Sequence, residues 1–422
     1  MEKSKFKKIL LILGFLAFVI LMAYFIWTSF FKKQITTETP IIGTSTSTGS
    51  GLPISPEGSG QIIDSTGTSS IITSPDTPQI QPGPTTQTEG IEVSNTAIGG
   101  ITKTTTLVSS GTSNPIISRD GNSVQFYNQV DGKFYLVNDK GDLIPLSNKV
   151  FHNVQDVEWA PNKTKAVLEY PDGNKIVYDF STEKQVTLPK HWEDFSFSTD
   201  SNKLISKSLG TDPDNRWLIV SNSDGSQSKA IEFIGENDKN VIPSWSPNNQ
   251  SIAMYTEGVD FNRREVFFVG LNDENFKSTV VEGWNFSGSW SKTGDKLLYS
   301  VSSPKNELKP NLWIVNAQGD NIGVNRTDLN IETWVEKCTF ANDTEVYCAV
   351  PTSLPKGSGL NSELAKNSND NLYKINIQTG QKELIAIPDK AYNVSSITVS
   401  QDQKTLFFTD NVNGGIHKVQ LQ

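Results

Sequence analysis

The chain has 422 residues, of which 46 are acidic and 37 are basic, so its formal net charge at pH 7 is −9. The first 33 residues carry +5 and residues 34–100 carry −6, which leaves −8 for the rest. This acidic balance argues against nucleic acid as a partner, because nucleic-acid binding needs clustered Lys and Arg.

An uncharged apolar run lies near the start of the chain. Residues 9–31 contain no charged side chain, and about 20 such residues can span a bilayer. Four lysines precede the run and two follow it, which places the N-terminus in the cytoplasm. A cleaved signal peptide is the competing interpretation, but its apolar core would be about 7–15 residues long. We predict that residues 1–33 are a basic tip and an uncleaved transmembrane anchor, with residues 9–31 in the lipid bilayer.

A polar segment follows the apolar run. In residues 34–100, Ser and Thr fill 24 of the 67 positions, and Lys and Arg do not occur. Such a composition cannot bury enough apolar surface to order itself. We therefore predict a flexible linker over residues 34–100.

A short phrase of the type Trp-Ser-Pro-Asn recurs in the remaining three-quarters of the chain. Seven copies, spaced 38 to 59 residues apart, predict a repeat architecture. The copies begin at Ile117, Trp159, Phe197, Trp245, Trp290, Phe340 and Val399. The residue before each turn is expected to pack in the core between repeats.

Each copy is followed by short apolar strands and turn residues. The copy at Trp245 predicts four strands, which together make one antiparallel sheet. The seventh copy supplies three strands before the chain ends, and residues 101–108 look like the missing fourth. We predict an all-β fold in which residues 101–422 form a seven-bladed β-propeller of four-stranded blades, closed by the N-terminal strand.

The repeated phrases resemble those of TolB-like propellers and, more distantly, of Trp-Asp-repeat propellers. The strands after the phrases, such as residues 251–255 and 296–300, share the resemblance. It implies the propeller fold over residues 101–422. It does not carry a TolB role, because TolB-like proteins are soluble after signal removal and have a second domain, and we expect neither here.

The only two cysteines flank the sixth phrase. Cys338 and Cys348 fall on the first and second strands of one predicted hairpin, opposite each other. A non-hydrogen-bonded antiparallel pair brings the α-carbons to about 4.5 Å, within disulfide range. We predict a disulfide outside the cell, against the alternative of two reduced, buried thiols.

Catalytic motifs are missing from the sequence. The three histidines belong to no recognisable motif, and no nucleophile elbow, phosphate loop, dinucleotide fingerprint or zinc-protease helix occurs. We therefore expect no enzyme activity, no cofactor and no metal site. Carboxylates are numerous, so a hydrolase that uses carboxylates in the propeller channel is the alternative.

Unequal loops point to binding. The loops after second and fourth strands share one propeller face, here called the top face. Four long ones belong to blades three to six: residues 209–216, 257–264, 302–311 and 351–371. We predict that the ligand is contacted by one basic residue in these loops and by a set of residues in the loops that lead into first strands. They are Phe151, His152, Trp192, Arg263, Trp284, Trp334 and Tyr392.

These features predict a membrane-anchored, single-pass protein that displays its propeller outside the cell. Its predicted function is to bind or scaffold proteins, peptides or glycans at the cell envelope. The linker enters the ring on the opposite face, so the top face should point away from the membrane. For each aromatic residue, packing in the core between blades is the competing interpretation.

Overall fold

The structure is a computed structural model that describes residues 15, 18–22, 24, 92–274 and 276–422. The chain divides into two units, Met1–Pro84 and Thr85–Gln422. The described residues of the first unit are helical. In the described part of the chain, no helix is both long and apolar enough to cross a membrane. Most of the predicted anchor and of the predicted linker lies outside the described residues.

Seven sheets make up the described propeller, six of four strands and one of five, and each contains the four antiparallel strands of one blade. Blade one contains Thr112–Ile117, Val124–Asn128, Lys133–Val137 and Leu143–Pro145. Blade two contains Asp156–Trp159, Lys165–Glu169, Lys175–Asp179 and Lys184–Leu188. Blade three contains Trp192–Phe197, Lys203–Leu209, Arg216–Asn222 and Lys229–Phe233. Blade four contains Val241–Pro243, Ala253–Gly258, Arg263–Val269 and Thr279–Glu282.

The other three blades follow the same order. Blade five contains Trp284–Trp290, Lys296–Ser302, Pro310–Asn316 and Thr327–Asp328. Blade six contains Cys338–Phe340, Glu345–Pro351, Asp370–Asn376 and Lys382–Pro388. Blade seven contains Val394–Val399, Thr405–Asp410 and Ile416–Gln420. The short 3-10 helices are Pro213–Asn215, Gly235–Asn240, Pro304–Asn306, Gly319–Asn321, Val335–Lys337 and Ser362–Ala365. The predicted seven-bladed, all-β architecture is confirmed.

The repeated phrase builds the hairpin between first and second strands. In blade four the Ser246 hydroxyl accepts the Ser251 N–H at 2.9 Å and donates to the Asn248 side chain at 2.7 Å. Asn248 in turn accepts the Gln250 N–H at 3.1 Å. Asn249 follows with a positive φ of 60°, a conformation that Asn tolerates. The polar residues of the phrase therefore fold the turn.

The core consists of seven apolar clusters in the described residues, one at each contact between neighbouring blades. The phrase residue before the turn is buried in five blades, as predicted: Trp159, Phe197, Trp245, Phe340 and Val399. Each blade thus buries both faces only because it has two neighbours, so the ring must close to complete the core.

The ring closes through the N-terminal segment of the propeller. Thr105–Val108 pairs antiparallel with Ile416–Gln420 and supplies the fourth strand of blade seven. The predicted closing strand, residues 101–108, is longer than the strand observed. Ile101–Thr102 instead runs parallel to Lys382–Pro388, as a fifth strand of blade six. The chain changes blades between these two short strands.

Hydrogen bonds hold this crossing segment on both blades. The Gly99 N–H bonds to the Ile385 carbonyl and the Ala97 N–H to the Gln420 carbonyl, each at 2.8 Å. Thr104 donates its N–H to the Asp389 carboxylate at 3.0 Å. Ala97 is also buried in the cluster between blades six and seven. The end of the predicted linker therefore packs against the propeller.

The predicted disulfide is present. Cys338 and Cys348 are direct partners in the pairing of the first two strands of blade six, with α-carbons 4.1 Å apart. The hairpin formed by the sixth phrase places them opposite each other. The bond therefore links neighbouring strands of one blade.

Candidate functional site

Three of the predicted contact residues are buried in the core between blades. Phe151 packs edge-on against Phe134 and Tyr178, with ring centroids 5.4 and 4.8 Å apart. Trp192 lies in the cluster between blades two and three. Tyr392 packs on Phe408 at 5.1 Å. For these three residues the structure favours the competing interpretation, because little of each side chain remains for a ligand.

Tyr392 has a further role in ring closure. Its hydroxyl lies 3.0 Å from the hydroxyl of Thr104, in the crossing segment between blades six and seven. Its ring centroid is 4.4 Å from that of His417, on the last strand. This aromatic residue therefore connects the N-terminal segment to the C-terminal strand.

Trp334 is half-buried and stands over a buried ion pair. The Lys337 ammonium lies 5.4 Å from the centre of the Trp334 ring and 3.0 Å from the Asp370 carboxylate. Burial lowers the pKa of Lys337 and raises that of Asp370, while the attraction between the two charges opposes both shifts. Asp370 also accepts the Val394 N–H at 2.6 Å. This arrangement joins blades six and seven under the top face.

Arg263 and Trp284 come together around an exposed aromatic residue. Phe261 lies in the loop between the second and third strands of blade four, and 78% of its surface is exposed. Its ring packs edge-on against Trp284, with centroids 5.2 Å apart. Arg263 begins the third strand of that blade and pairs with Asp260 at 2.7 Å. We call this surface the blade-four patch. It consists of Phe261, Trp284 and the charged residues Asp260, Arg263, Glu282 and Lys305.

A cavity of about 340 Å³ adjoins Phe261. The positive and negative charges of its rim are equal in number. Lys305 pairs with Glu282 at 3.0 Å, and Arg263 pairs with Asp260. Lys305 and Arg326 hold the pKa of Glu282 below its usual value, and the hydrogen bond from Lys305 has the largest influence. The cavity is lined by Asp260, Phe261, Asn262, Arg263, Glu282, Ser303, Pro304 and Lys305.

The loops beside this patch brace each other. The Gly357 N–H bonds to the Glu307 carbonyl and the Gly359 N–H to the Leu308 carbonyl, each at 2.9 Å. Asn285, on the first strand of blade five, donates its side-chain N–H to the Gly359 carbonyl at 2.9 Å. The long loop of blade six is therefore held on blade five, which sequence reasoning did not foresee.

His152 lies away from the long loops, at a second concave site. It is exposed and lines a cleft of about 790 Å³ between blades one and two. We call this the blade-two cleft; its lining is Lys149, Val150, Phe151, His152, Asn153, Tyr170, Pro171, Asp172, Asn174, Ile176, Gln185 and Thr187. Sequence reasoning named Phe151 and His152 but missed the rest, because no long loop marks this cleft.

Carboxylates gather on the first two strands of blade two. Burial raises the pKa of Glu158 to about 8 and that of Glu169 to about 7. Burial also lowers the pKa of nearby Lys163 to about 8. Asp156 is the direct strand partner of Glu169 and accepts a hydrogen bond from Asn114 at 2.7 Å. Within the described residues, no three acidic, His or Cys side chains come together as a metal site.

Comparison with known proteins supports the fold but identifies no family. No family model and no curated protein matches the sequence. Among solved structures, the β-propeller domain of Cps50 (Swd1) from Myceliophteria thermophila is similar, at 11% identity and a TM-score of 0.50. The match covers 76% of this chain and 100% of that one.

Two further structures are similar at lower scores. Oligogalacturonate lyase from Vibrio parahaemolyticus has 12% identity and a TM-score of 0.47, covering 75% of this chain and 93% of that one. The tricorn protease has 11% identity and a TM-score of 0.46, covering 75% and 34%. At such identities a likeness speaks to fold alone. The likeness to the Cps50 domain thus supports the β-propeller fold.

Proposed function

We propose that the protein is a membrane-anchored, extracytoplasmic binding module whose blade-four patch holds a protein or peptide partner. The single observation that carries this proposal is Phe261, which is 78% exposed yet packed edge-on against Trp284.

The patch has the anatomy of a protein-binding hot spot. A central aromatic anchor and a polar rim are the usual arrangement of such sites. Phe261 is the anchor, Trp284 supports its ring, and the rim carries Arg263 and Lys305 beside Asp260 and Glu282. Because both signs of charge alternate around the anchor, the patch suits a protein surface with mixed charges better than a polyanion.

The bracing of neighbouring loops also favours binding. Loops that are already ordered lose less conformational entropy when a partner docks. The contacts of Gly357 and Gly359 with the blade-five loop, and that of Asn285 with Gly359, hold the surface beside the patch in place. We infer that this sector of the top face is a preformed surface.

Membrane anchoring belongs to the same proposal. It is supported by the uncharged run of residues 9–31 and by the helical conformation of its described residues. The disulfide between Cys338 and Cys348 fits an oxidising compartment outside the cytoplasm. N-terminal sequencing of the mature protein tests the anchor: we expect the chain to start near residue 1. A soluble form that starts between residues 25 and 45 would contradict it.

The binding proposal is tested by comparing the full-length protein with two variants as bait in detergent-solubilised membranes. We expect Phe261→Ala to lose captured partners by about tenfold or more, since a central aromatic anchor contributes about 2 kcal/mol or more. Val412→Ala is the matched control, because Val412 lies in the equivalent loop of blade seven and is 76% exposed.

The melting temperature of each variant separates binding from folding. Truncating an exposed side chain should leave it within a few degrees of the wild-type value. Partners that bind the wild type and Phe261→Ala equally well, with both proteins folded, would refute the blade-four patch as their site.

A hydrolase remains the second candidate function, and one observation favours it. Glu158 and Glu169 have pKa values raised to about 8 and about 7, as a general acid near neutral pH requires. We expect no turnover of nitrophenyl glycosides or esters by the protein. Turnover that Glu158→Gln abolishes would favour the hydrolase instead.

A further inference from the structure

The blade-two cleft is formed by blade two and by the loop that enters it from blade one. Its lining includes Gln185 and Thr187 of the fourth strand, Lys184–Leu188. The top loops over residues 149–153 and 170–174 border the opening. Its volume of about 790 Å³ lies within the range of small-molecule sites.

The cleft has an apolar floor. Phe151 is buried, and Tyr170 and Ile176 are half-buried, so the ring edges and aliphatic surface lie at the base. Ile176 is the direct strand partner of Thr187, which places both on the same face of the blade. A ligand with a flat, weakly polar face can rest on such a floor and displace water from it.

The walls carry uncharged hydrogen-bonding groups that are free to bind. In the described part of the chain, Gln185, Thr187 and the Tyr170 hydroxyl make no side-chain hydrogen bond. The same holds for the side chains of His152 and Asn153. Together they offer two amides, two hydroxyls and an imidazole ring, so the site presents donors and acceptors side by side.

The charged groups of the cleft are occupied within the protein. The Lys149 ammonium lies 5.1 Å from the centre of the Tyr178 ring and 3.4 Å from the Glu183 carbonyl. The Asp172 carboxylate accepts the Asn174 N–H at 3.0 Å and also bonds to the Asn174 side chain. One cation and one anion, each with partners, leave no net charge to attract a charged ligand.

We propose that the blade-two cleft binds a neutral oligosaccharide. A sugar ring has a C–H face that packs on aromatic and aliphatic surface, and hydroxyls that both donate and accept hydrogen bonds. The floor of Tyr170 and Ile176 matches the first property. The free groups of Gln185, Thr187 and His152 match the second. The site is separate from the blade-four patch, so either proposal can fail without the other.

An extended peptide is the main competing ligand. It would pair with the outer edge of Lys184–Leu188 through its backbone and would not depend on side chains that point into the cleft. Gln185 and Thr187 share the cleft-facing side of that strand, whereas Val186 points to the other side and is exposed. Variants on the two sides of one strand therefore distinguish a cleft ligand from an edge ligand.

The test uses the full-length protein in detergent and three neutral probes: maltopentaose, cellopentaose and chitopentaose. Saturation-transfer NMR and titration of aromatic fluorescence report binding and its dissociation constant. We expect at least one probe to bind with a Kd of about 1 mM or below. Gln185→Ala with Thr187→Ala should raise that Kd about tenfold, and Tyr170→Phe should raise it about threefold. Val186→Ala, the matched control, should change it less than twofold.

Melting temperatures confirm that each variant is folded. The proposal is overturned if none of the three sugars binds, or if binding is unchanged in the Gln185→Ala, Thr187→Ala double variant. It is also overturned if the anionic probe trigalacturonate binds more tightly than every neutral sugar, because the charge argument would then be wrong. Binding that Val186→Ala weakens as much as the double variant would show that the cleft-facing side chains have no special part, and would refute the cleft.

Discussion

Thr106 and His417 face each other in the strand pair that closes the propeller, and the Thr106 hydroxyl oxygen lies 3.1 Å from His417 Nδ1. The imidazole is buried between Tyr392 and Phe408, with ring centroids 4.4 and 5.2 Å away. Its Nε2 atom is buried without a partner in the described residues. A titratable group therefore lies where the two ends of the propeller meet.

This position predicts acid sensitivity. Burial lowers the pKa of His417 below its ordinary value of 6.5, although the Asp410 carboxylate opposes the shift. The unfolded chain then binds the proton more readily than the folded one. The stability that neutral His417 contributes is therefore present above about pH 6.5 and is lost as pH falls through the lower folded-state pKa.

We expect urea unfolding curves for the wild type to shift to lower midpoints between pH 7.5 and 5. His417→Phe keeps an aromatic ring in the core and should reduce this shift, at a cost of about 1 kcal/mol for the lost hydrogen bond. His152→Phe is the control, since His152 is exposed. An identical pH dependence for the wild type and His417→Phe would contradict the prediction.

The crossing segment should stabilise blades six and seven through two pairings whose contributions to the free energy of unfolding can be measured separately. Deleting residues 94–102 removes the parallel pairing with blade six, whereas deleting residues 94–108 also removes the outer strand of blade seven. We expect the longer deletion to lower the free energy of unfolding by about 3–5 kcal/mol, because it opens a sheet edge and exposes core. The shorter deletion should cost less than half as much. Denaturant unfolding measures both, and equal losses would show that closure of blade seven contributes little.

The disulfide should contribute modestly to stability. Its two cysteines are 10 residues apart, so the closed loop is short and its loss costs about 2–3 kcal/mol. The Cys338→Ala, Cys348→Ala double variant should unfold at a lower urea concentration, and a reductant should shift the wild type to the same midpoint. Thiol titration of the protein from native membranes supplies the direct check. Two free thiols there would contradict the predicted bond.

The buried pair of Lys337 and Asp370 should be sensitive to the loss of one partner. Lys337→Met leaves the fully buried Asp370 carboxylate without its cation, which typically costs about 3–5 kcal/mol. Lys374→Met is the matched control, because Lys374 lies on the same strand as Asp370 but pairs at the surface with Glu345 and Glu383. Surface pairs contribute about 1 kcal/mol or less. Equal unfolding free energies for the two variants would refute this assignment.

The sequence alone determined the number of blades, their order and the disulfide. The reason is local: the Ser246–Ser251 turn is folded by hydrogen bonds within six residues, and the same serine hydrogen bond recurs in blades three, five and seven. Cys338 and Cys348 flank one such turn, so their pairing follows from the hairpin. Residues 101–108 were recognised as the source of the closing strand because blade seven lacked one, although only Thr105–Val108 fills that place.

Only the tertiary structure determined which of the predicted aromatic contact residues are buried and which are exposed. Phe151 and Tyr392 lie in loops and Trp192 begins a first strand, and the burial of all three depends on how adjacent blades pack. The blade-two cleft likewise needs the loop before the first strand of blade two to lie beside the third and fourth strands, and Phe261 of blade four meets Trp284 of blade five. Turn chemistry is a property of neighbouring residues, whereas a surface made by two blades depends on contacts between distant ones.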